Sequence, residues 1–213
     1  MATRIFVTAT NTDVGKTHTT LQLLHHYAAR GYRVGAIKPI ETGVTGLPPD
    51  GSHILEALRA LNPECHDLTI DDVVPITMSL PAAPYVANDA RPIDLGPVDR
   101  AVAAMEARCD ILLIEGAGGL YVPVDPGHMI IDLIRRYGAK ALLVTHCRLG
   151  CINDTLLNLM ALDASGLAYR WVLNRRPEDA AFESVSAPYL KARFDPLYIL
   201  QENIEALADA LLD

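Results

Sequence analysis

A strand-like run that ends in Gly-Lys-Thr and continues into a helical pattern opens the chain. Residues 4–8 are mostly apolar, residues 15–17 are Gly-Lys-Thr, and residues 18–30 carry apolar side chains at helical spacing. Such a turn offers backbone N–H groups at a helix N-terminus, an ammonium for the β- and γ-phosphates and a hydroxyl for magnesium. The segment therefore predicts a nucleotide phosphate site, with an ordinary strand-turn-helix as the alternative.

One position departs from the general phosphate-loop pattern. The first glycine of the usual spacing would lie six residues before Lys16, and the chain has Thr10 there. The generic motif is thus only partly met. The predicted phosphate-loop contacts are Asn11, Thr12, Asp13, Val14, Gly15, Lys16, Thr17 and His18.

Length, charge and cysteine content restrict the class of protein. The chain has 213 residues and a net charge of −8 without a basic run, which argues against nucleic acid as a partner. No apolar run is long enough for a membrane span, and residues 1–6 leave no room for a secretory leader, so we expect a cytoplasmic protein without a membrane partner. The four cysteines lack paired Cys-x-x-Cys spacing, so we expect reduced, buried thiols.

Strand-like and helical patterns alternate along the chain. The predicted strands are residues 4–8, 33–38, 110–115, 140–145, 169–173 and 197–200. Helical patterns cover residues 18–30, 54–61, 98–108 and 202–212. Loop-rich insertions occupy residues 42–51 and 75–97. This alternation predicts an α/β fold, a mostly parallel sheet flanked by helices, formed as a single domain over residues 1–213.

Polar residues follow two of the predicted strands directly, where ligands collect in a parallel sheet. Lys38 ends the second strand, and Thr42 follows four residues later. Glu115 ends the third long apolar run and precedes Gly116, Ala117 and Gly118. A carboxylate there suits magnesium, and glycines allow close approach to phosphate or substrate. A solvated lysine and a glycine-rich turn capped by an acid are the alternatives.

Two later strand ends carry weaker signals. Gly150, Cys151, Ile152 and Asn153 open a helix, and a helix N-terminus after glycine can bind an anion such as a carboxylate. A normally capped helix explains the same pattern equally well. Asn174 follows the strand at residues 169–173, where an amide can contact a nucleobase edge.

Together these residues resemble the dethiobiotin synthetase family of the P-loop NTPase superfamily. Residues 10–17 resemble that family's Thr-x-Thr-x-Val-Gly-Lys-Thr loop, which accounts for the missing early glycine. Lys38-Pro39, Thr42-Gly43, residues 115–119 and residues 149–153 follow in the family's order and at similar spacing. The likeness extends over most of the chain.

The resemblance implies a reaction and a cofactor. Enzymes of this family carboxylate 7,8-diaminopelargonate with CO2 or bicarbonate as the carbon source and ATP as co-substrate, and close the ring to dethiobiotin with release of ADP and phosphate. By this resemblance Lys16 holds the β- and γ-phosphates, and Thr17 and Glu115 hold Mg²⁺. Lys38 would stabilise the carbamate and the phosphoryl group, and Lys38, Lys16 and Thr12 form the expected catalytic set.

The resemblance also implies a substrate site and a homodimer with shared active sites. Thr12, Lys38, Thr42 and Gly118 would contact the diamine end. The turn at residues 150–153 of one subunit would cap the substrate carboxylate at the other subunit's site. The expected nucleotide set, besides the loop, is Glu115, Gly116, Ala117, Gly118 and Asn174.

Three positions differ from the family pattern. A further aspartate ligand for magnesium is usual where this chain has His53, and Asp50 is the nearest carboxylate. The usual Asn-Asp pair for adenine is Asn174-Arg175, so base selectivity stays open. Thr42 replaces a common serine and keeps the hydroxyl.

Two other functions compete with this interpretation. A nucleotide-dependent switch of the partitioning or site-placing type shares the predicted sheet, but such proteins carry a lysine early in the phosphate loop, where this chain has residues Thr10 to Thr12. An amide-forming ligase of the cobyrinate diamide synthase type needs a glutaminase domain, for which this length leaves no room.

Overall fold

The described residues form nine strands and ten α-helices around one central sheet. The computed structural model describes residues 2–213, so Met1 of the predicted domain lies outside it. The strands are β1 (Thr3–Ala9), β2 (Val34–Ile37), β3 (Ile40–Thr42), β4 (Ile76–Met78), β5 (Ile111–Gly119), β6 (Pro123–Asp125), β7 (His128–Met129), β8 (Lys140–His146) and β9 (Tyr169–Asn174).

The helices fill most of the intervals between the strands. They are α1 (Lys16–Ala29), α2 (Pro49–Leu61), α3 (Ile70–Val73), α4 (Pro84–Ala87), α5 (Gly96–Glu106), α6 (Ile130–Arg136), α7 (Cys151–Ser165), α8 (Phe182–Val185), α9 (Ala187–Arg193) and α10 (Leu200–Leu212). A short 3₁₀ helix covers Pro63–Cys65.

The central sheet has five parallel strands in the order β2-β5-β1-β8-β9. In the middle strand, Phe6 pairs with Ile114 of β5 on one side and with Ala141 of β8 on the other. The predicted α/β fold with a parallel, helix-flanked sheet is confirmed.

Burial on both faces explains why the central strands are almost wholly apolar. Ile5, Phe6 and Val7 of β1 and Leu112 and Leu113 of β5 have no exposed surface. A strand covered on both faces by helices has no solvent side, so it reads as a continuous apolar run. This core holds the carboxyl ends of the strands, and the loops that follow them, in fixed positions.

The structure differs from the sequence prediction in four places. Glu115 was expected to end its strand, but β5 continues to Gly119, so Glu115 lies within it. The helix predicted at residues 54–61 begins at Pro49. The strand predicted at residues 197–200 is wrong, because Ile199 forms only an isolated bridge with Leu173 and α10 starts at Leu200. Two small sheets, β3 with β4 and β6 with β7, were not predicted. Among residues 2–213, no helix combines the length and apolarity that a membrane crossing requires.

Candidate functional site

The phosphate loop lies between β1 and α1, at the carboxyl edge of the sheet. Gly15 takes the N-cap position of α1 with φ of +106°, and Asp13 has φ of +54°. Lys16 is 7% exposed, and its ammonium donates to the Asn11 carbonyl at 3.3 Å. Burial lowers the pKa of Lys16, with Glu115 acting in the opposite direction. The ammonium thus folds back over its own loop, where a phosphate would lie.

Asn174, the last residue of β9, packs against this loop. Its Nδ2 donates to the Val14 carbonyl at 2.9 Å, and its Oδ1 accepts from Gln201 Nε2 at 2.7 Å. A Cβ built on Gly15 would lie 2.0 Å from the same Nδ2. Asn174 is buried and does not line the cavity described below, so its amide supports the loop in this structure. A nucleotide contact by Asn174 stays a prediction.

Glu115 is the centre of the polar contacts between the loop and the sheet. Its side chain has no exposed surface. Thr17 Oγ1 donates to Oε1 at 2.7 Å, and Thr20 Oγ1 donates to Oε2 at 2.8 Å. Lys38 Nζ lies 2.8 Å from Oε1. Because a buried carboxylate requires donors and a counter-charge, these three groups explain how Glu115 is tolerated there.

Lys38 joins two carboxylates from different elements. Its ammonium forms ion pairs with Glu115 of β5 and with Asp50 in the first turn of α2. Burial acts to lower the pKa of Lys38, but Glu115 and Asp50 outweigh it and raise the pKa above its usual value. Burial acts to raise the pKa of Asp50, but the Lys38 ammonium outweighs burial and lowers the pKa below its usual value. Lys38 is therefore a fixed cation at physiological pH.

Glu41 is a site residue that the sequence analysis did not single out. It is 4% exposed, and its two oxygens accept from the backbone N–H groups of Asp50 and Gly51 at 3.0 Å and 2.9 Å. Burial raises the pKa of Glu41, while the Gly51 hydrogen bond and Lys38 act against that rise. The only available sequence signal was an acid between Lys38 and Thr42.

One cavity of about 600 Å³ brings these elements together. Ten of the predicted site residues line it: Thr12, Asp13, Gly15, Lys16, Thr17, His18, Lys38, Thr42, Ala117 and Gly118. Asp50, Glu41 and Arg176 line it as well, and Arg176 donates to the Asp13 carbonyl. Residues from five separate parts of the chain, including residues 81–84, thus share one space large enough for a small ligand.

The remaining predicted residues lie elsewhere. Asn11, Val14, Glu115 and Gly116 belong to the same loops but lie outside the cavity lining. His53 is exposed on α2 and does not line the cavity, whereas Asp50 does. Of the two positions left open for a metal ligand, the structure brings only Asp50 to the site.

The turn at residues 150–153 is not part of this chain's own cavity. Gly150 precedes α7 with φ of +99°, and Asn153 is exposed. His146 holds the turn, since its Nδ1 accepts from the Arg148 N–H at 3.2 Å and its Nε2 lies 3.0 Å from an Asp154 oxygen. A substrate contact by this turn would have to be made in another subunit.

The donor set around Lys38 fits a hard cation. Among residues 2–213, no three His, Cys, Asp or Glu side chains come together as a complete metal site. The Thr17 hydroxyl and the Glu115 and Asp50 carboxylates, however, offer oxygen atoms close together. Magnesium prefers oxygen ligands and completes its shell with phosphate oxygens and water, so this set is suited to Mg²⁺ that arrives with a nucleotide.

The comparisons with known proteins agree with this geometry. A family model described as an AAA domain matches residues 3–198. The ATP-dependent dethiobiotin synthetase BioD of Sulfurovum sp. is 43% identical over 97% of this chain and 99% of its own length. The chain belongs to the dethiobiotin synthetase family. The dethiobiotin synthetase of Wolinella succinogenes is 37% identical over 98% of this chain and 97% of its own length.

The dethiobiotin synthetase family consists of ATP-dependent ligases, so this chain is a ligase, as the resemblance implied. Solved structures similar in fold include the MinD cell division protein of Aquifex aeolicus, with a TM-score of 0.54 and 17% identity over 98% of this chain and 87% of that one. A plasmid partition protein of Borrelia burgdorferi has a TM-score of 0.57 and 9% identity over 99% and 96%. At these identities the likeness shows the fold alone.

Proposed function

We propose that this protein carboxylates 7,8-diaminopelargonate with CO2 and closes the ring to dethiobiotin, in a reaction that needs ATP and Mg²⁺ and releases ADP and phosphate. The observation that carries this proposal is one cavity lined by the phosphate loop, Lys38 and Thr42. The family relationship supports the choice of substrates. A cytoplasmic location, as expected from the sequence, belongs to the same proposal.

The phosphate loop binds the nucleotide in this proposal. The N–H groups at the start of α1 and the Lys16 ammonium surround the β- and γ-phosphates, and burial of Lys16 strengthens its interaction with them. Thr17, Glu115 and Asp50 would hold Mg²⁺, which when bound neutralises phosphate charge. Thr12 and His18 line the cavity beside the loop and contact the bound nucleotide or the diamine.

Lys38 acts in both carbamate formation and phosphoryl transfer. One amine of the diamine attacks CO2 to give a carbamate, whose oxygen then attacks the γ-phosphate of ATP. The Lys38 ammonium, charged because of its two carboxylate neighbours, stabilises the negative charge on the carbamate and the transferred phosphoryl group. The second amine then attacks the carbonyl carbon, and phosphate leaves as the ring closes.

Thr42 and Gly118 both line the cavity, and the proposal assigns them to the substrate. The Thr42 hydroxyl can hydrogen-bond the carbamate end of the diamine. Gly118 has φ of +70° and packs against Val122, so its backbone comes close to the cavity without a side chain. These contacts orient the two amines, which is the main requirement of a reaction that proceeds by positioning.

The proposed active form is a homodimer. The turn at Gly150, Cys151, Ile152 and Asn153 lies outside its own chain's cavity, and the proposal gives it the substrate carboxylate of the partner subunit. Three apolar side chains are exposed near this turn: Leu149 just before α7 is 87% exposed, and Leu157 and Met160 on α7 are 57% and 66% exposed. Apolar exposure of this extent supports a protein contact at α7.

Phosphate release by the purified protein tests the proposal. The assay contains Mg²⁺, bicarbonate and ATP, GTP or CTP in turn, with and without 7,8-diaminopelargonate. We expect release that depends on the diamine and formation of dethiobiotin, detected by mass spectrometry. Hydrolysis that ignores the diamine would contradict the proposal and favour a nucleotide-dependent switch, and no release with any nucleotide would also contradict it. The three nucleotides measure the base selectivity left open by Asn174 and Arg175.

A further inference from the structure

The helix that carries Asp50 has no cap of its own. Its N-cap residue, Pro48, offers no side-chain hydrogen bond, and Pro49 takes the first helical position. The N–H groups of Asp50 and Gly51 in the first turn have no partner within the helix, as is general for helix N-termini. A buried helix end needs an acceptor for such groups.

Glu41 supplies that acceptor from outside the helix. Its Oε1 accepts from the Asp50 N–H at 3.0 Å, and its Oε2 accepts from the Gly51 N–H at 2.9 Å. Glu41 lies in β3, where it pairs with Thr77 of β4. The small sheet therefore fixes the carboxylate, and the carboxylate fixes the start of α2. The negative charge of Glu41 is also favourable there, because the helix dipole places partial positive charge at the N-terminus.

The backbone of α2 approaches Glu41 closely at Gly51. A Cβ at Gly51 would lie 2.0 Å from Val74 Cγ2 and 3.3 Å from Glu41 Oε2. Glycine thus permits the close approach on which both hydrogen bonds depend. The position of the first turn of α2 is set by this contact.

Asp50 connects the capped turn to the site. Its backbone N–H donates to Glu41 Oε1, while its carboxylate forms the ion pair with Lys38. We propose that Glu41 is a positioning residue, which caps α2 so that Asp50 is held against Lys38 and the phosphate loop. This inference rests on the proposed function, since it concerns the efficiency of that reaction.

Loss of the cap has a definite consequence. With glutamine at position 41, an amide N–H group would face one of the two backbone N–H groups, so the paired contact cannot form. The first turn of α2 would then shift, and Lys38 would keep only Glu115 as a close partner. The hydrogen bonds of the Glu41 carboxylate go to α2 and not to the phosphate loop, so the loop would be unchanged.

The test compares E41Q with a control on the same helix. Glu56 is an exposed acid of α2, so E56Q makes the same chemical change away from the site. We expect kcat for diamine-dependent phosphate release to fall by about 10- to 100-fold in E41Q, as is typical of a small misplacement of a reacting group. The dissociation constant for ADP, measured without Mg²⁺, should stay within about twofold of that of the unmodified protein, because the phosphate loop is untouched.

A second pair of variants separates positioning from a general loss of structure. P48S gives α2 an N-cap of its own, whose hydroxyl can accept from the Gly51 N–H. E41Q/P48S should recover most of the lost kcat, since the start of α2 is held again. E41Q/D50N should be no slower than D50N alone, because Glu41 acts through Asp50. Additive losses in E41Q/D50N, or no recovery in E41Q/P48S, would overturn the inference.

Crystal structures of E41Q and E56Q in one crystal form give a readout that does not depend on activity. We expect the Asp50 carboxylate to leave Lys38 in E41Q and to stay in E56Q. An unchanged Asp50–Lys38 pair in E41Q overturns the inference even if the protein is active. Absence of diamine-dependent turnover in the unmodified protein would instead refute the proposed function, and the crystal structures would still decide the role of Glu41.

Discussion

Replacement of Gly15 by alanine should be among the most damaging small changes in this protein. Gly15 has φ of +106°, and a residue with a Cβ in the left-handed region costs about 1–2 kcal/mol. The new Cβ would also lie 2.0 Å from Asn174 Nδ2 and 3.1 Å from Asn174 Cγ. Asn174 must then withdraw and lose its bonds to Val14 and Gln201, at about 1 kcal/mol each. The expected loss in free energy of unfolding is about 3–4 kcal/mol.

Gly31→Ala is the matched control for the backbone part of this loss. Gly31 also has a positive φ, of +86°, but a Cβ there would have nothing within 4 Å. We therefore expect Gly31→Ala to cost only the backbone term, about 1–2 kcal/mol. Urea unfolding followed by circular dichroism measures both variants, and calorimetry with ADP measures nucleotide binding. Gly15→Ala should also weaken ADP binding, whereas Gly31→Ala should not.

The difference between the two variants tests the proposed contact with Asn174. If Gly15→Ala and Gly31→Ala lower the free energy of unfolding by the same amount, the close approach of Asn174 to the loop does not contribute to stability and the reasoning is refuted. In the background of Asn174→Ala, the clash is removed in advance. The further cost of Gly15→Ala should then shrink to that of Gly31→Ala, because only the backbone term remains.

Three further predictions concern catalysis, substrate binding and pH. Lys38→Ala should abolish diamine-dependent phosphate release while the dissociation constant for ADP changes little; near-normal turnover would remove Lys38 from the chemistry. Asn153→Ala should raise the KM for the diamine by about tenfold, as expected for a lost charge-assisted hydrogen bond, and leave that for ATP unchanged; the opposite pattern would remove the turn from the substrate site. The Arg136 guanidinium holds the pKa of Asp99 below its usual value. The ion pair therefore stabilises the fold at any pH above the ordinary carboxyl pKa, and this stabilisation is lost as the pH falls through the lowered pKa of Asp99. The difference in free energy of unfolding between the unmodified protein and Asp99→Asn should therefore be present at pH 6 and shrink on acidification, and a difference that grows in acid would contradict this.

The central sheet could be predicted from the sequence because its strands are long, apolar and buried on both faces. The predicted run at residues 140–145 corresponds to β8, Lys140–His146, with a difference of one residue. The small sheet of β3 and β4 could not be found in this way. Its strands have three residues each, so they are too short to show a period of two.

The apolar pattern of the sequence predicts a start of α2 that is too late in the chain. The apolar pattern begins at Ile54, but the helix begins at Pro49. Proline is favoured in the first turn of a helix and acids follow it readily, so Pro49 and Asp50 together were an available signal. Counting from the family pattern pointed to His53, which the helix carries on its exposed side.

The apolar run at residues 197–200 shows the limit of reading strands from composition. Ile199 makes one bridge to β9, and its N–H then donates to Asn203 Oδ1 at 2.7 Å. Ile199 is the N-cap residue of α10, so this contact closes the first turn of the helix. Short apolar runs are ambiguous between a strand and the start of a helix, and here the run ends in the start of α10.

The environment of Glu115 shows how much of a site follows from spacing and how much needs the fold. A buried acid within a strand must find donors, and Thr17 and Thr20 lie three residues apart, on one face of α1. The sequence thus contained both hydroxyl donors to Glu115, once α1 is packed on β5. The Lys38 contact has a different origin, because β2 and β5 are adjacent although more than 70 residues separate them. Strand order cannot be read from local pattern, so the charge that balances Glu115 becomes evident only when the sheet is assembled.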